Sequence, residues 1–445
     1  MKPIRRACAW VLWTFLIVAA DAKALDDPAA RMRVTGLENG LTVLTLEDHT
    51  TPVVSFQMWV NVGSSDESSY TGLAHLFEHM MFKGSENLAA EEHARLVTAR
   101  GGSINAFTNR DHTVYFEDVT SESLPLIIDL EHERVANLDI SEETLSSERK
   151  VVLEERRMRT EDQPMGRAYE TLLALVWQAH PYRWPVICWR SDVEKATVEV
   201  CRDFFDTFYA PNNIVIAIAG DFDTEPTLDH VRRTFGTLPR KGEIPRNPTE
   251  EPVQEGERRA VVHFDARAPV LAAGWHAPPT GHDDGEALDV LSVILSQGRS
   301  SRLYRSLVYE SAQALSAEGG YWELDHAGVF LAIASVRPDA EIGKVEELFF
   351  EEIERAKREP VSEEELAKAK RQLEVGLVAS GGTSHALAAR IGREMASLGR
   401  VRPLAERLER IQAVTAEDVQ RVAQKYLLQS KRSVVHVVPP PAEEG

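Results

Sequence analysis

The sequence repeats itself weakly, with a spacing close to half its length. Residues 141–145, SEETL, recur as SEEEL at 362–366, and residues 212–220, NNIVIAIAG, resemble KRSVVHVVP at 431–439. The two offsets are 221 and 219 residues. Self-similarity at one spacing indicates that a single structural unit has been used twice. The chain of 445 residues is therefore expected to fold as two related halves.

Residues 238–258 separate the two halves. They are rich in proline and charge and show no apolar periodicity, which is typical of a linker. The first half then comprises residues 25–237, and the second comprises residues 259–445. In each half the pattern predicts opening strands, a helix, a hairpin, several helices and a last strand. This order predicts an α+β fold with a mostly antiparallel sheet and helices packed on one face.

Residues 1–24 have the pattern of a secretory signal peptide. Basic residues precede an apolar run at 7–20, and the small residues at 22–24 offer a cleavage site. We therefore expect a mature chain that begins at Leu25 and is exported across the inner membrane into the periplasm. An uncleaved membrane anchor is the alternative. No internal run is long enough to cross a membrane, so the cleaved chain is expected to have no stable span.

The charge of the chain disfavours one class of function. Its formal net charge is −20, and no basic stripe with interleaved aromatic residues occurs. An acidic surface repels the phosphates of nucleic acids. Nucleic acid is therefore not an expected partner.

The segment HLFEH at 75–79 contains the groups of a hydrolytic metal site. His75 and His79 are four residues apart, so on a helix they share one face and can bind one metal ion. Glu78 lies one turn after His75, where its carboxylate can take a proton from a metal-bound water. The neighbouring residues are apolar, which predicts a buried helix, and burying imidazoles is costly unless they are paired or metal-bound. A surface helix with two solvated histidines is the alternative.

A catalytic zinc site needs a third protein ligand. Residues 141–159 are predicted to be a helix, because Ser141 can cap it and two acidic residues follow in the first turn. Glu148 and Glu155 lie seven residues apart on this helix and are nearly superposed. Glu155 is the predicted third ligand, and Glu148 is predicted to orient a ligand or hold a proton. The alternative is a charged surface helix with exposed glutamates.

The sequence resembles the pitrilysin and mitochondrial-processing-peptidase family of zinc peptidases, in a short bacterial secreted form with two halves. The resembling segments are HLFEHMMFKG, GGSINAFTNRDHTVYF, ERKVVLEERRMR, HPYRWPVICWRSD, YAPNNIVIAIAGDF and GRSSRLYRSLVYE. The HxxEH order is also the inverzincin signature. The resemblance implies that His75, His79 and Glu155 bind Zn²⁺, that Glu78 is the catalytic base and that Glu148 is the family's additional glutamate. It implies two halves that face each other as a clamshell, with the metal in the first half only.

The resemblance also implies where a peptide substrate binds. In the family, the strand that corresponds to residues 101–116 is a sheet edge near the zinc, and a peptide adds to it as an extra strand. Asn105, Ala106 and Phe107 are therefore predicted to contact the substrate. Asn105 would meet its backbone and Phe107 would line a side-chain pocket, although ordinary core packing is the alternative for Phe107.

One expected pair of residues is incomplete in the second half. Active relatives place an Arg and a Tyr there to bind substrate carbonyls, and SSRL at 300–303 makes Arg302 the matching arginine. Leu315 stands where the tyrosine is expected. Either a neighbouring tyrosine substitutes, or a companion subunit of the same family supplies the Arg–Tyr pair, which is the interpretation we favour. A heterodimer is therefore predicted, and a homodimer is a further possibility.

The predicted function is that of a zinc endopeptidase, or of its catalytic subunit, which hydrolyses unfolded peptides or oligopeptides. A non-catalytic assembly or scaffold member of the same family is the alternative. The intact HxxEH segment and Glu155 argue against that alternative. Cys188 stands where relatives usually have glycine, so a disulfide with Cys201 is not expected.

Overall fold

The computed structural model describes residues 27–441, so the predicted signal peptide at 1–24 lies outside the described residues. Within residues 27–441, no helix is both long and apolar enough to cross a membrane. Residues 239–257, between the two halves, contain no helix or strand.

The first half is built on a six-stranded sheet. Its strands are Arg33–Gly36 (β1), Thr42–Glu47 (β2), Val53–Val60 (β3), Ser103–Thr108 (β4), Thr113–Thr120 (β5) and Ile214–Gly220 (β6). The spatial order is β1-β2-β6-β3-β5-β4, and all neighbours are antiparallel except the parallel pair β2 and β6. Strand β4 therefore forms one edge of this sheet.

Eight α-helices accompany this sheet in the described part of the first half. They are Leu73–Met80 (α1), Glu92–Thr98 (α2), Leu124–Ala136 (α3), Glu142–Arg156 (α4), Pro164–Val176 (α5), Arg190–Lys195 (α6), Val198–Phe208 (α7) and Thr224–Arg233 (α8). Alternate residues of β3, from Val54 to Val60, pack into one core with the apolar faces of α1, α3 and α4.

The second half has a five-stranded sheet of the same plan. Its strands are Arg258–His263 (β7), Val270–Ala277 (β8), Ala314–Trp322 (β9), Gly328–Val336 (β10) and Arg432–Val438 (β11). Its helices are Gly285–Ser296 (α9), Arg302–Tyr304 (α10), Ile342–Arg358 (α11), Glu363–Ala379 (α12), Ser384–Leu398 (α13), Leu404–Ala413 (α14) and Ala416–Tyr426 (α15).

The two sheets share one topology, which confirms the two related halves. The second sheet has the order β7-β11-β8-β10-β9, and β7 and β11 are again its parallel pair. This matches the order β2-β6-β3-β5-β4 in the first sheet, strand for strand. The mostly antiparallel α+β fold predicted from the sequence is thus confirmed.

The two halves exchange a helix, which the sequence did not predict. Helix α5 of the first half packs on the second sheet, and α13 of the second half packs on the first sheet. Gly392 makes the second contact possible, since a Cβ atom there would lie 2.3 Å from Nε1 of Trp59 on β3. Each sheet is therefore covered by its own helices on one face and by a helix of the other half on the opposite face.

Candidate metal centre and peptide-binding cavity

Helix α1 carries the HLFEH segment, as predicted, and is held at its start by a buried carboxylate. Gly72, at φ 87°, is its N-cap residue. The carboxylate of Glu67 accepts hydrogen bonds from the backbone N–H groups of Gly72 at 2.7 Å and Ala74 at 2.9 Å. Apolar residues of α1 face the core, so His75 is buried and His79 lies half-buried at the surface of the cavity described below.

Helix α4 brings the predicted third ligand to the same place. Ser141 caps it by accepting a hydrogen bond from the N–H of Thr144, as the sequence predicts. The chain is helical through the predicted end at residue 159, because the α-helix that ends at Arg156 is followed directly by a π-helical turn, Arg157–Glu161. Pro164 follows closely and is the first residue of helix α5. Because proline cannot continue the preceding helix, the chain turns there into α5.

The structure brings together His75, His79 and Glu155. Oε2 of Glu155 lies 3.6 Å from Nε2 of His75 and 3.3 Å from Nε2 of His79. One donor atom from each of the three residues lies within 4.8 Å of the other two. Tetrahedral zinc with bonds of about 2.0–2.1 Å separates its ligand atoms by roughly 3.3–3.4 Å. Two imidazoles and one carboxylate at these distances fit a zinc ion.

The protonation of the two histidines follows from their surroundings. Burial, together with the neighbouring His79, lowers the pKa of His75 to about 4. Burial would also lower the pKa of His79, but hydrogen bonds to Glu148 and Glu155 raise it to about 9. His75 is thus neutral at neutral pH, which is the form in which an imidazole binds a metal ion.

Glu78 is placed beside this cluster and is held by strand β4. Its Oε2 accepts a 2.6 Å hydrogen bond from the hydroxyl of Thr108, the last residue of β4. Burial raises the pKa of Glu78 above its ordinary value, although the Thr108 hydroxyl opposes that shift. A carboxylate with a raised pKa is better suited to accept and return a proton near neutral pH. The sequence reasoning missed Thr108, for which the only signal was its position at the end of the NAFT strand.

Glu148 lies behind His79, as predicted. One carboxylate oxygen is 3.6 Å from Nδ1 of His79, and the other is 3.2 Å from Nζ of Lys83. Burial acts to raise the pKa of Glu148, but the contacts with His79 and Lys83 outweigh it and lower that pKa. The contact between Lys83 and Glu148 was not predicted from the sequence.

A cavity of about 1110 Å³ opens in front of the cluster. Its walls include His75, Glu78, His79 and Glu155, the β4 residues Asn105 to Thr108, Val151 of α4, and the apolar segment 184–187. Among the described strands, β4 pairs only with β5, so its other edge is free beside the cavity. All three predicted substrate contacts, Asn105, Ala106 and Phe107, line this cavity.

Phe107 lies on the edge strand β4 and is partly open to the cavity. It is 39% exposed, and its ring makes an edge contact with Trp59 at 5.9 Å. The ring is therefore supported from behind while one side stays open to the cavity. Asn105 is exposed, and its side chain accepts a hydrogen bond from the N–H of Ala106 at 2.9 Å.

The structure places Arg302 in an ion pair with Glu365 and not at the cavity. Its guanidinium makes two 2.8 Å hydrogen bonds to Glu365, the residue is only 8% exposed, and it does not line the cavity. Glu365 also caps α12, so the pair is part of the packing of the second half. Leu315 is half-exposed on β9, away from the cavity, and the only tyrosine in the cavity wall of the described chain is Tyr169 of the first half.

The two cysteines of the described chain, Cys188 and Cys201, are buried and not joined to each other in the structure. Cys188 has φ 98°, a left-handed conformation that favours glycine. This conformation explains why a glycine is expected at that position.

Comparison with known proteins places the chain in a family. The model described as "Insulinase (Peptidase family M16)" matches residues 42–189, and the one described as "Peptidase M16 inactive domain" matches residues 195–373. Zinc protease PqqE of Helicobacter pylori is 29% identical over 408 residues, covering 91% of this chain and 92% of that protein. An uncharacterized zinc protease of Mycobacterium tuberculosis, Rv2782c, is 32% identical over 406 residues, covering 90% of this chain and 92% of that protein.

The fold agrees with solved structures of such proteins. A protease from Helicobacter pylori superposes with a TM-score of 0.89 at 29% identity, covering 92% of this chain and 99% of that one. The structure described as peptidase M16 inactive domain from Pseudomonas fluorescens shares the fold, with a TM-score of 0.82 at 19% identity, over 93% of this chain and 99% of that one. The chain belongs to peptidase family M16.

Proposed function

We propose that this protein is a zinc-dependent endopeptidase, or the catalytic subunit of one, that hydrolyses unfolded peptides or oligopeptides. The observation that supports this proposal most strongly is the convergence of His75, His79 and Glu155 beside Glu78 at one wall of a large cavity. The names of the relatives as zinc proteases agree with it.

The chain's own groups account for the proton transfers of peptide hydrolysis. The two histidines and Glu155 would hold a zinc ion, which when bound would supply a Lewis acid for the attacking water and the scissile carbonyl. Thr108 occupies Oε2 of Glu78, which leaves Oε1 to take the proton of the attacking water. Glu78 then returns that proton to the leaving amine.

The free edge of β4 supports a peptide as the substrate. An extended peptide that adds to a sheet edge is bound through main-chain hydrogen bonds, which tolerate many side-chain sequences. Asn105, Ala106 and Phe107 lie along this edge, and Thr108 at its end contacts Glu78. A peptide on β4 would therefore pass directly in front of the catalytic base. A folded protein has no free extended segment to offer to such an edge.

We propose further that a companion subunit of the same family completes the site. Among the described residues of the second half the expected pair is incomplete, because Arg302 is bound to Glu365 and Leu315 stands in place of the expected tyrosine. An Arg–Tyr pair from a companion would stabilise the developing oxyanion, which is worth about 2.7–4 kcal/mol in comparable sites. A homodimer is the alternative assembly. Export to the periplasm, proposed from residues 1–24, would bring the enzyme to extracytoplasmic peptides.

The test is cleavage of a quenched fluorescent peptide by the zinc-loaded mature chain, alone and with its candidate companion. Glu78→Gln should abolish cleavage, whereas Glu143→Gln, an exposed change on α4, should not. Activity only with the companion would support the split site, and activity of the chain alone would refute it. Zinc binding without any Glu78-dependent cleavage in either case would refute the peptidase proposal and favour the scaffold alternative.

A further inference from the structure

The two oxygens of the Glu155 carboxylate have different partners. Oε2 faces the Nε2 atoms of His75 and His79. Oε1 instead forms an ion pair with Nη1 of Arg159, four residues further along the helix, at 2.6 Å. We propose that Arg159 is a positioning residue of the metal centre, which holds Oε1 so that Glu155 presents Oε2 alone to the ion. This inference rests on the zinc site proposed above.

The backbone of Arg159 is fixed although its side chain is 74% exposed. Arg159 lies in the π-helical turn, Arg157–Glu161, where π-turns are frequently found at functional sites. Helix α5 packs against this turn so closely that a Cβ atom on Gly166 would lie 2.3 Å from the carbonyl oxygen of Arg159. The direction in which the arginine side chain leaves the backbone is therefore set by the packing of α5.

The chemistry of a carboxylate ligand explains why this contact matters. A carboxylate can bind a metal ion through one oxygen or through both, and it can rotate between the two modes. A guanidinium on Oε1 opposes that rotation and withdraws part of the negative charge from the ligand. Outer contacts of this kind orient a ligand, and their loss typically lowers metal affinity or activity about 10–100-fold. Because Arg159 is solvent-exposed, we expect its contribution to lie near the lower end.

The second ring nitrogen of His79, Nδ1, has a comparable contact, whereas that of His75 does not. Nδ1 of His79 lies against Glu148, but Nδ1 of His75 is buried without a hydrogen-bond partner among the described residues. The orientation of the ligand set therefore depends on Glu148 and Arg159.

Arg159 can be tested against a matched control in the same turn. Arg157 is also exposed, but it pairs with Glu154 and Asp162 and contacts no predicted ligand. The variants Arg159→Met, Arg159→Lys and Arg157→Met of the mature chain would be compared for zinc affinity, by competition with a chromogenic chelator. The visible absorption spectrum of each variant loaded with Co²⁺ reports the coordination directly.

We expect Arg159→Met to bind zinc about tenfold more weakly than the wild type and to change the Co²⁺ spectrum. Arg159→Lys should recover part of the zinc affinity and part of the wild-type Co²⁺ spectrum. Arg157→Met should match the wild type in both measurements. Wild-type affinity and spectrum in Arg159→Met, or equal losses in Arg157→Met, would overturn the inference. Failure of the wild type itself to bind zinc would instead refute the proposed metal site.

Discussion

The hydroxyl of Thr108 donates a 2.6 Å hydrogen bond to Oε2 of Glu78. This contact joins the last residue of the free edge strand to the proposed catalytic base. A peptide that adds to β4 is therefore bound by the same strand that orients the group acting on it.

Removing this hydrogen bond should slow catalysis more than it weakens peptide binding. Thr108→Val keeps the size of the side chain but leaves Glu78 free to rotate. A hydrogen bond to a charged group is worth about 1.5–3 kcal/mol, which predicts a fall in kcat of roughly 10–100-fold. KM should change little, because the backbone edge of β4 is intact. Thr98→Val, on an exposed helix face, is the control, and an unchanged kcat in Thr108→Val would contradict this role.

Glu148 should contribute to metal binding through His79. Glu148→Gln keeps the shape of the side chain but removes the charge that faces Nδ1 of His79. We expect zinc affinity to fall about 10–100-fold, as for other outer contacts of metal ligands. Chelator competition measures this directly. Glu143→Gln, five residues earlier and exposed, should bind zinc as the wild type does. Equal affinities in all three proteins would show that Glu148 has no such role.

The exchanged helix α13 should make Gly392 intolerant of a side chain. Gly392→Ala would place a Cβ atom 2.3 Å from Nε1 of Trp59, and overpacking of this kind typically costs about 1–3 kcal/mol. Gly376→Ala, on an exposed face of α12 with no atom within 4 Å of the new Cβ, should stabilise the chain by about 0.5–1 kcal/mol. Urea unfolding measures whether the free energy of unfolding falls in Gly392→Ala and rises in Gly376→Ala. An unchanged free energy of unfolding in Gly392→Ala would contradict the close packing.

The Arg302–Glu365 pair should make stability depend on acid pH. The hydrogen bond from Arg302 lowers the pKa of Glu365 from 4.5 to about 2 in the folded chain. The folded state therefore favours the charged form, and the pair's contribution is fully present above the unfolded pKa of about 4.3. It is lost as the pH falls from there towards 2. Glu365→Gln should be about 2 kcal/mol less stable than the wild type near neutral pH.

The difference in stability between Glu365→Gln and the wild type should shrink as the pH is lowered towards the pKa of Glu365 in the folded chain. The measurement is the free energy of unfolding in urea at several pH values between neutral and about 3. A constant difference across that range would contradict the assignment of the low pKa to Glu365. Glu363→Gln, in the first turn of the same helix, is the control because it has no such partner among the described residues.

Local patterns in the sequence predicted the halves, the sheets and the convergence of His75, His79 and Glu155. The halves followed from self-similarity along the chain, and the pairing of His75 with His79 followed from their spacing within one helix. That Glu155 of another helix joins them was implied by the resemblance to the family. The exchange of α5 and α13 was not predictable in the same way. The apolar stripe of a helix shows that it packs against something, but it does not show against which sheet.

The contacts around the site were hidden from the sequence for a similar reason. Arg302 was assigned a substrate-binding role by its place in a motif, and its contact with Glu365, which lies 63 residues further along the chain, appears only in the fold. Thr108 and Lys83 acquire their roles only through contacts that the fold creates. The π-helical turn that places Arg159 also depends on the packing of α5 rather than on a local pattern.

The most direct test of the metal centre is anomalous X-ray scattering at the zinc edge from crystals of the zinc-loaded mature chain. The account predicts one strong peak, within bonding distance of Nε2 of His75, Nε2 of His79 and Oε2 of Glu155. A chain that binds zinc elsewhere, or a peak that Glu155 does not contact, would contradict it.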